Sequence, residues 1–187
     1  VANFIIPNSH GIDHIAMNVV AITQEPLTSH MDLKAQIQSL INNAPDDGVT
    51  PNLVSAIAPT LVAIAQKLRH SQYYILQNAE GSWVLTTLSN RANPGIEKRV
   101  IYAFPTIQDV TLISTAGLDP QISPNITPVT HILFQLVALE PVDSIIFLET
   151  PGQTTHTFEL LRTDFQKLIQ QQLQQMRSPK PIPPDIA

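Results

Sequence analysis

The chain has 187 residues, of which 43% are apolar and 13% charged, with a formal net charge of −5. That length suits one domain with a core of its own, and so little charge points to a folded chain. It has no cysteine and ten scattered Lys and Arg residues, which excludes disulfides, thiolate catalysis and iron–sulfur clusters, and with them a nucleic-acid backbone as the main partner.

No apolar run approaches the roughly 18 residues that a membrane span needs. The first residues lack the basic region of a signal peptide. Together with the missing cysteines this leads to the expectation of a soluble, cytoplasmic protein.

Segment 1–30 contains no Lys or Arg, and its apolar residues, Phe4, Ile5, Ile6, Ile12, Ile15, Val19 and Val20, keep no sustained period. Met31 then opens a helical stretch. The chain begins with Val1, as literal translation of a GTG start codon would give. The expectation is that translation starts at Met31 and that 1–30 is an over-extended start. The alternative is a genuine extension that docks as a strand.

Residues 32–43 carry Leu33, Ile37, Leu40 and Ile41 on one helical face. Pro45 to Gly48 ends that helix. Thr50 and Pro51 open a second one, with Thr50 as cap and Pro51 in the first turn. Its stripe runs through Leu53, Val54, Ile57, Leu61, Ile64, Ala65 and Leu68, and Pro59 inside it predicts a kink or two short helices. Residues 72–77 and 82–88 read as two strands of a hairpin turning at Asn78–Gly81. Residues 98–104 make a third strand, 106–113 an edge strand, and 114–126 a loop.

Thr127 and Pro128 repeat the cap-then-proline start, followed by the stripe Val129, Ile132, Leu133, Leu136 and Val137. Ser144 to Glu149 is a continuous apolar strand, expected to be central and buried on both faces. Thr155 to Leu161 is its hairpin partner. A last helix spans 164–177, and the proline-rich tail 178–187 reads as extended chain. The fold class is therefore α+β: an antiparallel sheet of about five strands with helices packed on one face, in the order α-α-β-β-β-α-β-β-α, over a single domain at 31–177.

No G-x-x-x-x-G-K-[ST], G-x-G-x-x-G or G-x-S-x-G motif occurs, and six glycines leave little for a phosphate-cradling loop. Two clusters could carry chemistry. His10, Asp13 and His14 have the i, i+3, i+4 spacing of helical metal ligands, without the glutamate of a zincin. Arg69, His70 and Tyr73 meet at a helix–strand junction, where His70 would serve as a general base or merely cap the helix end. Glu149, at the end of the buried strand, is the acid best placed to join them. Trp83 and His131 are the candidate partner-binding residues: Trp83 as anchor or core, His131 as a solvated side chain. No cofactor is expected.

From Met31 to about Gln175 the chain resembles a set of conserved cyanobacterial proteins. The stretches that carry the likeness are Met31-Asp32-Leu33-Lys34, Leu68 to Tyr74, Val84 to Leu88, Ile101 to Thr106 and Val142 to Ile145. That family has no assigned activity, so the resemblance implies a host class and nothing chemical. By order of elements alone the chain is also similar to the secretion-chaperone-like fold, whose members bind polypeptides and often dimerise; the extra helix at 51–69 and the loop at 114–126 depart from it. The leading expectation is a non-enzymatic binding or assembly protein with a protein partner or a homodimer. The alternatives are an enzyme built around Arg69, His70, Tyr73 and Glu149, and a small-ligand sensor with an apolar cavity.

Overall fold

The computed structural model describes residues 32–90, 93–113 and 121–177. Helix α1 (Leu33–Asn42) starts at Asp32, whose side chain accepts the Lys34 N–H. Helix α2 (Thr50–Ala65) follows. Asp47, not Thr50, supplies the capping oxygens: it accepts the main-chain N–H of Val49 and Thr50 and the Thr50 hydroxyl. Pro59 does not split α2, which runs through it as one helix. Pro59 itself is exposed, while Ile57, Leu61 and Ile64 on the other side enter the core.

The chain then forms β1 (Gln72–Gln77), β2 (Thr86–Asn90) and β3 (Asn93–Phe104). The expected hairpin between β1 and β2 forms only at its tip, where Gln77 bridges Trp83. Both strands pair antiparallel with β3, Ile75 opposite Ala103 and Thr86 opposite Val100. Along β3 the two are thus successive parts of one line, and residues 78–85 are an excursion between them. The excursion closes as a tight loop: Asn78 N–H donates to the Ser82 carbonyl, Val84 N–H to the Leu76 carbonyl, and Gln77 bridges to Trp83. Gly81 turns it at φ 79°, a left-handed conformation that side chains with a Cβ adopt only at a cost.

Two further expectations are overturned. Residues 107–113 are a helix, α3 (Ile107–Ile113), not an edge strand. Its first turn is a capping box: the Asp109 carboxylate accepts the Thr106 N–H and hydroxyl, and Asp109 N–H donates back to Thr106 Oγ1. Within the expected loop and cap lies a strand, β4 (Ser123–Pro128), paired along β1. Helix α4 (Val129–Ala138) begins only after it, with Pro128 in the cap position.

Strand β5 (Ser144–Leu148) lies between β3 and β6 (Thr157–Leu161) and is buried except at Ile146, as its apolar run predicts. Helix α5 (Arg162–Arg177) closes the described chain. The sheet has six strands in the order β4-β1-β3-β5-β6, with β2 on β3. It is mixed, not antiparallel, because β3 and β5 run parallel. The cause is the connection between them: β4 runs in the direction of β3, and α4 then carries the chain back to the starting end of the sheet, so β5 also enters in the direction of β3.

Alternation divides the sheet into two faces. Tyr73, Ile75, Ile101, Ala103, Ile145, Phe147 and Leu160 face α1, α2, α4 and α5 and form the main core with Ile57, Leu61, Ile132, Leu133, Leu136 and Phe165. Phe104 and Leu148 face the other way and pack on Val110 of α3. Helices therefore do not all lie on one face: four cover one side and the short α3 covers one end of the other.

Candidate functional site

The four residues singled out around the helix–strand junction do converge. β3 and β5 end side by side, and the chain enters β1 at the same end of the sheet. Glu149 follows directly on β5. One carboxylate oxygen accepts the Tyr73 hydroxyl at 2.6 Å and the other the Arg69 main-chain N–H at 2.7 Å. His70 Nε2 lies 3.2 Å from the Glu149 carbonyl oxygen. A carbonyl only accepts, so this contact assigns the ring proton to Nε2. Arg69 Nη1 donates to Thr150 Oγ1 at 3.3 Å. Tyr73 stacks edge-on with His70 and with Phe147, at centroid distances of 5.5 and 5.0 Å.

Burial and the bond to the Glu149 carboxylate push the Tyr73 hydroxyl far above its ordinary range, so it stays a proton donor. Tyr73 is wholly buried and Glu149 nearly so. Both carboxylate oxygens are already engaged. The arrangement ties the end of β5 to the α2–β1 junction, with both carboxylate oxygens of Glu149 and Nε2 of His70 engaged in it.

The turn after β5 is held from a second side. Gly152 N–H donates to Asp109 Oδ1 at 2.6 Å, with Gly152 at φ 73°. Asp109 is almost fully buried, and reading 106–113 as a strand hides its role. The signal was present: Thr106 and Asp109 have the spacing of a capping box. Gln36 was missed as well. From α1 it donates to the Ser71 carbonyl and accepts from the Thr130 N–H and hydroxyl, joining α1, β1 and α4. An isolated Gln on a helix carries no such signal.

Of the two partner-binding candidates, Trp83 takes the core position that was one of its expected readings, and His131 departs from its expected one. Trp83 is partly buried and packs on the main core. It borders a cleft of about 340 Å³ with Leu85, Ile101, Leu139 and Val142, and Gln135 is its polar side chain from α4. His131 is not solvated. It is half-buried, its Nε2 is enclosed without a hydrogen-bond partner, and burial lowers its pKa against the opposing effect of a bond to the Gln36 main chain. The proposed metal cluster His10, Asp13 and His14 lies outside the described residues. Among the described residues no three His, Asp or Glu side chains stand close enough to hold a metal ion.

The other face of the sheet is the larger feature. Tyr102, Ile146 and Glu159 stand in one row across β3, β5 and β6, and Tyr74 stands between Phe104 and Ile126. Tyr74, Leu76, Tyr102 and Ile146 are only partly buried, and Ile126 and Leu88 are exposed. An ion pair interrupts this surface: Glu159 accepts from Lys98 and from the Ser144 hydroxyl. Burial acts against the Glu159 carboxylate, but these two partners outweigh it and hold its pKa below the usual value. Among the described residues no helix is long and apolar enough to cross a membrane. No protein-family model matches the chain, and no curated protein matches it.

Proposed function

We propose that the chain is a non-enzymatic protein-binding module that receives its partner on the face of its sheet that the described helices α1, α2, α4 and α5 leave open. The observation behind this reading is the band Tyr74, Leu76, Tyr102, Ile126 and Ile146, which none of the four core helices covers. Contiguous apolar surface of this kind is uncommon where nothing binds. Tyrosines flanked by aliphatic side chains are the usual anchors of an interface, and low charge is typical of its centre. The partner is an apolar or amphipathic polypeptide segment, met in a reducing, cytoplasmic setting; a cyanobacterial host is part of the same proposal.

The test is a paired capture with the full chain. Tyr102→Lys and Ile126→Lys together put two charges into the band; neither residue belongs to the main core, and Tyr102 borders the smaller cluster around Phe104. A protein retained in stoichiometric amount by the unsubstituted chain and lost by the double variant supports the reading, provided both unfold at the same temperature. Equal retention by both, or retention by neither, sinks it. The enzymatic alternative draws on the meeting of Arg69, His70, Tyr73 and Glu149, yet their hydrogen bonds are with one another and with Thr150.

A further inference from the structure

The two ends of the main sheet path are unlike each other, and the difference lies in main-chain hydrogen bonding. On β4, Val129 N–H donates to the Ser71 carbonyl. Antiparallel pairs alternate between those that exchange both bonds and those that exchange none. With Gln72 opposite Pro128 and Tyr74 opposite Ile126, the main-chain groups of Pro124, Ile126 and Pro128 therefore point away from β1, to the free edge. Two of these positions are proline and have no N–H. Proline so placed stops a further strand from adding.

The same reasoning at the opposite end gives the reverse result. Glu149 N–H donates to the His156 carbonyl, and Arg162 N–H to the Asp143 carbonyl. With Ser144 opposite Leu161 and Ile146 opposite Glu159, it is Thr157, Glu159 and Leu161 that turn their main-chain groups outward. All three are exposed, and none is proline or lysine. Among the described residues no strand pairs with this edge, and its one guard against pairing is the charge of Glu159, which Lys98 and Ser144 already partner.

We infer that β6 is the seam of a two-fold dimer, in which a second copy of this chain adds its own β6 antiparallel to the first. The strand is self-complementary about Glu159. Glu159 faces its own counterpart, and Thr157 faces Leu161 of the other copy, giving about six main-chain hydrogen bonds across the axis. The two central carboxylates would repel if bare, but each already has Lys98 and Ser144 as partners within its own chain, so the seam closes without opposed free charges. Leu161, 38% exposed, gains an apolar cover from the neighbouring strand. The uncovered faces of the two sheets become one continuous surface. A seam of five residues per strand is shorter than a standard interface, so association belongs in the micromolar range.

Sedimentation equilibrium of the full chain from about 1 to 300 μM reads this directly. The expected result is a rise toward twice the monomer mass. Thr157→Pro removes one outward N–H at the first position of an edge strand, where proline is tolerated; it should remain monomeric with an unchanged unfolding temperature. Leu161→Lys serves the same purpose should the proline variant not fold. A chain that stays monomeric throughout, including one that binds only foreign peptides, overturns the inference, and so does dimerisation that survives both substitutions. The seam is independent of partner binding: the Tyr102→Lys, Ile126→Lys variant should still dimerise.

Discussion

Glu149 brings a carboxylate to a place that is 9% exposed, where a charge is costly unless its oxygens are bonded. Tyr73 and the Arg69 main chain meet that need. Removing one donor leaves the other bond intact but strands an acceptor, and stranding is the expensive part. Tyr73→Phe keeps the ring against Phe147 and His70 and deletes only the hydroxyl. It should destabilise the fold by about 1–3 kcal/mol in urea titrations. An unchanged midpoint would show that the hydroxyl is not part of a structural clasp and would return it to the list of groups available for chemistry. The four members of this cluster were legible in the sequence because they sit at element ends. What they do there was not, since the partner of Tyr73 lies on a strand far along the chain.

Among the elements, those read correctly have a period that local sequence carries by itself. The stripes of α1, α2 and α5 and the unbroken apolar run of β5 are of that kind. The elements misread are those whose character depends on a distant strand. β4 looks like a loop because it is polar and holds two prolines, yet the prolines occupy the positions that need no donor. β1 and β2 look like a hairpin because a glycine turn joins them, while β3 offers both a better partner. α3 looks like strand because it is short and apolar, although Ile107 and Val110 have helical spacing. The contact between α1 and α4 was also hidden, and His131 within it gives a pH dependence. Its ordinary pKa of 6.5 is lowered in the folded chain, chiefly by burial. The unfolded chain thus binds a proton more readily. Stability from this residue is complete above about pH 6.5 and declines as pH falls through the lowered folded value. Urea midpoints at pH 7.5 and 5.5 should differ less for His131→Gln than for the unsubstituted chain. An equal or larger difference in the variant would mean that the imidazole is not responsible.

Over the whole molecule, apolar burial and charge make very unequal contributions. Only 13% of residues are charged. The ion pairs between carboxylates and Lys or Arg among the described residues are Lys98–Glu159, about one-third exposed, and Lys167–Asp164, more than half exposed. Pairs so open to solvent contribute from nothing to about 1 kcal/mol each and weaken with salt. Phe147 stands for the opposite term. It is fully buried at the centre of the sheet and touches the rings of Tyr73 and Phe158. Phe147→Ala should cost about 3–5 kcal/mol, the usual penalty for lost burial together with an unfilled cavity. Raising sodium chloride from 0.05 to 0.5 M should change the unfolding free energy by less than about 1 kcal/mol. Both follow from equilibrium unfolding of the same preparation. A salt effect as large as the Phe147→Ala effect would place the main stabilisation in charge interactions instead of the core. A small one leaves the packing between the sheet and its four helices as the term that holds β3, β5 and β6 in register, and so keeps both the uncovered face and the β6 edge in place.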